Sequence, residues 1–309
     1  MPLRSLRWTA LTLALVVVVL DLWSKQWAID SLASFDHPMV LRVTDGATVA
    51  AALQARGLTA KEADEAFARG QVGRFLPARD LKLDRVLTVD DVDTRVLVTG
   101  GIGLPAPRQV QFTTQQVGQS VSQVLSKDFR LEPTRLQPLL DGQLLYRSAG
   151  RVSDPQEALA ADGLVALSDH NLPIFAGFTF VYAENRGAAW GFLSSAPPTV
   201  RFLLFAFISL VASLVMIWVL WGGRMGTTWS SLALAAILGG AIGNLVDRLR
   251  FRIVVDFVLN YVVIDGKTHS WPVYNVADIG ITVGVALIAL ELLVQRKPAP
   301  PVADRPEPG

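Results

Sequence analysis

Four stretches of this chain are too long and too poor in charge to be the faces of water-soluble helices. Trp8 to Leu20 is uncharged, and apolar character resumes past Asp21 and Lys25 as far as Ala28. That makes about 21 residues, enough at 1.5 Å per residue to cross a ~30 Å hydrocarbon core. Phe202 to Trp221 and Gly226 to Val246 are two further uncharged runs of spanning length. The fourth, Ile279 to Val294, carries only Glu291, near an end where it can snorkel. A cleaved signal peptide is the other reading of the first run, but no small-x-small site follows it. Four spans put both termini on one side. Arg4 and Arg7, Arg224 in the second link, and Arg296 with Lys297 mark that side as cytoplasmic. Arg248, Arg250 and Arg252 then fall on the outer side, against the usual bias.

Between the first two spans the pattern changes. Met39 to Val43 alternates like a strand, Thr48 to Arg56 and Thr59 to Arg69 read as helices, and Arg85 to Val98 has strand-like alternation. Thr59 and Glu62 have the spacing of a capping box. Gly100 to Pro107 is a turn-rich break, not a phosphate loop, because it lacks the Gly-Lys-Ser/Thr ending. Phe178 to Tyr182 alternates again, and five prolines in the last twelve residues predict a disordered tail. The expected division is a first transmembrane helix (1–30), an extracytoplasmic inserted domain (31–170) and a β-cradle segment (171–200). The second and third transmembrane helices (201–222 and 226–249), an extracytoplasmic catalytic segment (250–274), the fourth helix (275–295) and a cytoplasmic tail (296–309) complete it. The fold class is a membrane four-helix bundle with a small β-cradle and an inserted soluble α/β (α+β) domain.

Composition agrees with a membrane class: 51% of the 309 residues are hydrophobic, 18% are charged and the mean hydropathy is +0.39. The segment from Asp36 to Asp169 carries 17 acidic and 15 basic residues. A net charge of +1 offers no field for a nucleic acid backbone. The absence of cysteine rules out disulfides, thiol nucleophiles and cysteine metal sites. His37, His170 and His269 have no metal-ligand spacing. No metal and no cofactor are expected.

Ionisable groups in or beside spans cost roughly 2.5 to 3.5 kcal/mol each on insertion scales, so each needs a partner or a purpose. Asp21 and Lys25 are i and i+4 on span one and can neutralise each other. Asn244, Asp247 and Arg248 end span three, after the small residues Gly239, Gly240, Ala241 and Gly243, which suit close helix packing. Asp256 lies in an apolar stretch just beyond, where a salt bridge to a nearby arginine is the plainer role. Asp278 opens span four behind Asn275, where an acid complements the helix dipole. Yet both acids belong to the outer end, and two carboxylates sharing a site leave one protonated and the other a base. Such a pair activates water against an amide. Asn185 follows an alternating strand and is as easily a structural corner as a functional group.

As a set, these residues resemble the lipoprotein signal peptidase (signal peptidase II) family of membrane aspartyl proteases. Asp21-x-x-x-Lys25 is similar to that family's first-helix pair, and Asn185-Arg-Gly-Ala-Ala-Trp-Gly191 to its Asn-x-Gly-Ala-Ala-Phe segment, with Trp190 in the Phe position. Gly243 to Arg248 followed by Val255-Asp-Phe257, and Asn275-Val-Ala-Asp278, resemble its two catalytic motifs. The resemblance implies a catalytic dyad of Asp256 and Asp278, with Asn185, Asn244, Arg248 and Asn275 binding substrate and Asp21, Lys25 and Asp247 in support. It also implies a β-cradle, an arm on the membrane surface, and diacylglyceryl-prolipoprotein substrates cut before the lipidated Cys. Membrane lipids are the other expected partners. The chain would lie in the bacterial inner membrane with its site near the outer face. About 130 residues, near Asp36 to Ala166, depart from the family pattern, which has a short connection there. This insert could cover the substrate's mature portion or recruit an extracytoplasmic partner. The alternatives are a proton-coupled transporter, disfavoured by the lack of an internal repeat, and a non-catalytic substrate- or inhibitor-binding paralogue, disfavoured by the intact acids.

Overall fold

The structure, a computed structural model, describes residues 3–42, 48–100, 102, 105, 107–129, 131–152, 154–157, 163–187, 197–222 and 227–295. Arg224, Arg296, Lys297, the proline-rich tail and much of the Gly100 to Pro107 break lie outside the described residues. In chain order the elements are α1 (Leu3–Ser31), β1 (Met39–Arg42), α2 (Val49–Ala55), α3 (Ala60–Ala68), β2 (Val72–Pro77), β3 (Arg95–Val98) and β4 (Arg108–Gln111). Then come α4 (Val121–Phe129), α5 (Leu136–Asp141), β5 (Leu145–Arg151), β6 (Leu164–Leu167), β7 (Leu172–Phe175) and β8 (Phe178–Asn185). Last are α6 (Pro198–Gly222), α7 (Thr228–Phe251), β9 (Val254–Ile264), β10 (Lys267–Ser270) and α8 (Val276–Gln295).

The chain divides into two compact units: Met1–Leu22, Leu203–Val246 and Val276–Gly309 form one, and Trp23–Phe202 with Asp247–Asn275 the other. In the first lie most of four helices long and apolar enough to cross a membrane. Ala10, Ala14, Met216, Leu220, Ala235, Leu238 and Ala241 make a buried cluster that joins α1, α6 and α7. Helix α8 approaches α7 through glycine, because a β-carbon at Gly240 would run into the Ala277 carbonyl oxygen. Glu291 has partners that hydropathy does not express. Its carboxylate accepts hydrogen bonds from the Thr227 and Ser230 hydroxyls at the start of α7.

The second unit holds two antiparallel sheets. One has six strands in the order β1-β6-β2-β5-β3-β4, and the other four, β10-β9-β8-β7. All pairings in the six-stranded sheet are antiparallel, so the insert is α+β. Strand alternation separates its faces. On one side, α2 and α3 pack over Met39, Leu41, Val72, Val165 and Leu167, and α4 and α5 over Val96, Val98 and Leu145. On the other are Phe75, Leu97, Tyr146, Leu164 and Ala166. The Thr59–Glu62 capping box forms as its spacing predicts. The strand expected over Arg85 to Val98 is confined to β3. Residues 88–91 instead form a turn, in which Asp91 accepts from the Thr88 N–H and from Arg85, and Asp93 adopts a φ of 71° that ends any ladder.

The insert starts and finishes on neighbouring strands. Met39 faces Leu167 where β1 pairs with β6, and a bridge between Ala33 and His170 carries the pairing on toward α1. Side chains with little exposure join the six-stranded sheet and its approach to the four-stranded one: Arg108 of β4 ion-pairs Glu184 of β8, and the His37 ring stacks on Tyr182 of β8 at 4.0 Å. His37 Nε2 donates to the Ile29 carbonyl at 3.0 Å, and burial holds the imidazole below its ordinary range. Burial first and the Glu184 charge second push the Tyr182 phenol well above its own.

Candidate active site

Asp256 sits on a strand, which the sequence reading did not anticipate. Strand β9 pairs with β8, so that Asp256 faces Ala183 and Val254 faces Asn185. The register shifts between Phe180 and Ala183, a bulge of the kind that re-aims side chains. Strand β9 then turns into β10 through Asp265-Gly266, with φ of 51° and 73°, the conformation such a pair favours in a two-residue hairpin loop. That dipeptide was the signal available. Trp27, Phe180 and Phe257 form an edge-to-face cluster beside the ladder.

Three buried groups hold the backbone and side chain around Asp256. The Asn275 carboxamide donates both protons, one to Asp256 Oδ1 at 2.6 Å and one to the Val255 carbonyl at 3.2 Å. The Asp247 carboxylate accepts from the Val255 N–H at 3.0 Å and pairs with Lys25 Nζ at 3.3 Å. All of these side chains are within 2% of full burial. Lys25 thus has a partner on α7 that i,i+4 spacing did not indicate. Arg248 is half-buried, and its carbonyl accepts from the Arg252 N–H at 2.8 Å, closing α7 with Arg252 at a φ of 60°. Two of the neighbouring arginines also meet aromatic rings: Arg252 lies 5.6 Å from the Phe202 centroid and Arg250 4.6 Å from that of Phe251.

Asp278 belongs to the helical unit, as the third residue of α8. Its Oδ1 accepts from the Asn244 carboxamide at 3.0 Å. The α8 N-terminus is capped from another helix: Asp21 Oδ1 on α1 accepts the Ala277 N–H at 2.8 Å, satisfying one of the orphan donors of a helix start. Gly243 admits that carboxylate, since a β-carbon there would collide with it. Each acid is therefore oriented by a buried asparagine from a different element. Asn185 behaves differently. Its Oδ1 accepts the N–H of Gly187, which has a φ of 92°, in a local turn, and the following Ala188 to Gly191, including Trp190, lie outside the described residues.

Residues 159–294 match the family model described as signal peptidase (SPase) II. The lipoprotein signal peptidase of Pseudomonas putida is 44% identical over 41% of this chain and 72% of its own length. That of Syntrophus aciditrophicus is 38% identical over 41% of this chain and 77% of its own. The chain belongs to the signal peptidase II family. A solved structure described as a bacterial membrane enzyme is 25% identical, covering 43% of this chain and 77% of its own, with a TM-score of 0.35. The signal peptidase II match includes Asn185, Asn244, Asp247, Arg248, Asp256, Asn275 and Asp278, and begins after most of the insert. With four helices long and apolar enough to span a bilayer, this member is a multi-pass membrane protein and a protease.

Proposed function

We propose that this protein is an aspartyl endopeptidase of the bacterial inner membrane that removes signal peptides from diacylglyceryl-modified prolipoproteins, cutting before the lipidated Cys. Family membership carries the reaction. The asparagine-held acids carry the mechanism: Asn275 orients Asp256 and Asn244 orients Asp278. In this mechanism the ionised acid takes a proton from water as the water attacks the scissile carbonyl and the other acid gives its proton to that oxygen; as the intermediate collapses, the first acid passes the water's proton to the leaving amine and the second recovers its own from the hydroxyl. Asp278 is the proposed base, because an anion in the first turn of a helix is favoured by the dipole. Asn185, Arg248 and the two asparagines would position the substrate, and Lys25, Asp247 and Asp21 would support them. Both termini would be cytoplasmic, with the chemistry near the outer face. Family membership does not favour the transporter or the non-catalytic reading. The deciding experiment incubates the purified protein in detergent with a diacylglyceryl-prolipoprotein. Release of the signal peptide before the Cys supports the reading, and an intact substrate sinks it.

The insert is proposed as an accessory domain over an otherwise complete enzyme. Because Ala33 and His170 are bridged, their Cα atoms are about 5 Å apart, and a short linker can rejoin the chain. Replacing residues 36–166 with a few Gly/Ser residues should leave a membrane-inserted protein that still cleaves, with changed rates among prolipoproteins. The measurement is a panel of substrates compared at equal enzyme. A variant that inserts normally yet cleaves none of them would make the insert part of the catalytic machinery.

A further inference from the structure

A second polar site, which the peptidase chemistry does not use, lies between the helix-free face of the insert's sheet and strand β8. The cleft has a volume of about 880 Å³ and is walled on the β8 side by Val181 and Tyr182. Arg95 of β3 and Arg151 of β5 both line it. The Arg95 guanidinium lies 5.4 Å from the Phe75 centroid and donates from Nη1 to the Ser168 hydroxyl at 3.4 Å. Both guanidiniums lie over glycines. A β-carbon at Gly73 would sit 2.7 Å from Arg95 Nη2, and one at Gly70 would sit 2.9 Å from Arg151 Nη1.

Neither arginine is ion-paired among the described residues. Two carboxylates also line the cleft, each hydrogen-bonded by side-chain amides and not by either arginine: Asp93 accepts from Gln111 at 2.7 Å, and Asp169 from Gln71 and Asn171, each at 3.2 Å. Burial first, and the charge of Arg151 second, hold the Arg95 guanidinium below its ordinary range. Arg95 is half-buried and Arg151 exposed, so the cleft presents one partly desolvated and one solvated guanidinium, neither directly paired with a carboxylate of the described residues.

We propose that this cleft is an anion site built for a phosphate group, with Arg95 and Arg151 as its two clamps. Paired guanidiniums match the several acceptor oxygens of a phosphate better than they match any single neutral ligand. Ser148 Oγ accepts the Arg95 N–H at 3.0 Å, which leaves its own proton to donate to the anion. The phosphate can come from either of two sources. Ala33, Ser34 and Phe35 line the cleft and directly follow the helix that ends at Ser31. At up to ~3.6 Å per residue they stay within ~15 Å of the span's end, in reach of a lipid headgroup. A free phosphoester in the surrounding solution has the same chemistry. The proposal does not depend on the peptidase reading.

The test uses the full chain purified in detergent and two probes. Inorganic phosphate is titrated calorimetrically, and retention of phosphatidylglycerol over phosphatidylcholine is read by native mass spectrometry. Saturable binding of at least one probe is expected, weakened about tenfold or more in Arg95→Gln and in Arg151→Gln, as for loss of a charge-assisted clamp. Arg147→Gln, whose exposed side chain pairs with Asp80 outside the cleft, should bind like the parent. Response to free phosphate assigns a soluble phosphoester, and phosphatidylglycerol retention without it assigns a headgroup. Melting curves accompany every variant. If a glutamine variant unfolds, Arg95→Lys with Arg151→Lys replaces it, keeping the charge but losing the planar fork, and should bind several-fold more weakly. Binding of neither probe, or equal binding by parent and clamp variants, overturns the proposal.

Discussion

Asp256→Asn and Asp278→Asn should each lower the rate of prolipoprotein cleavage by about a thousandfold or more, the scale of losing a positioned acid or base. An amide can neither take a proton from water nor return one to the leaving amine. Asn275 and Asn244 can still hydrogen-bond the remaining carbonyl of either variant, so folding and insertion should survive. Initial rates in detergent, read beside melting curves, make the comparison. If Asp278 serves only as a dipole-complementing acid at the start of α8, its variant will lose a little stability and keep its turnover. That outcome would remove Asp278 from the proposed dyad.

Asp247→Ala should be the most damaging structural substitution. It strips a carboxylate from the buried Lys25 ammonium and an acceptor from the Val255 N–H in one step. Breaking a buried ion pair from one side typically costs about 3–5 kcal/mol. The expected result is a protein that accumulates poorly and melts far below the parent. Lys25→Met combined with Asp247→Leu removes both charges and should recover much of that stability. Activity should recover less, because Val255 precedes Asp256 and its N–H still lacks the acceptor that fixes the strand. A single Asp247→Ala variant that melts with the parent would show that this pair holds nothing in place.

Hydropathy alone located the four long helices, since uncharged runs of that length have few other uses in a folded chain. The polar residues stood out against the same background, and the structure gives most of them defined partners. What escaped was pairing across long sequence distances. Lys25 meets Asp247, and Asp21 caps α8 at Ala277, because helices distant in sequence pack closely, which local spacing cannot express. Strand β9 was hidden by its composition: Val254 to Ile264 is nearly continuous in apolar residues, so it reads as the margin of a span as easily as a strand. In the insert, short helices announced themselves through caps such as Thr59. The strand order did not, because β1 pairs with β6 across more than a hundred residues.

The adjoining ends of the insert also bear on how the protein is made. The connection between the ends of α1 and the start of α6 is roughly 165 residues long, but with the Ala33–His170 bridge formed the loop left to close is roughly 30, which lowers the closure cost by about 1.5 kcal/mol. An insert that folds as soon as it emerges would therefore present the membrane helices with a short tether in place of a long one. Assembly of the spans would then be no slower for carrying an extra domain, and any other domain with neighbouring terminal strands could occupy the same position at the same kinetic cost.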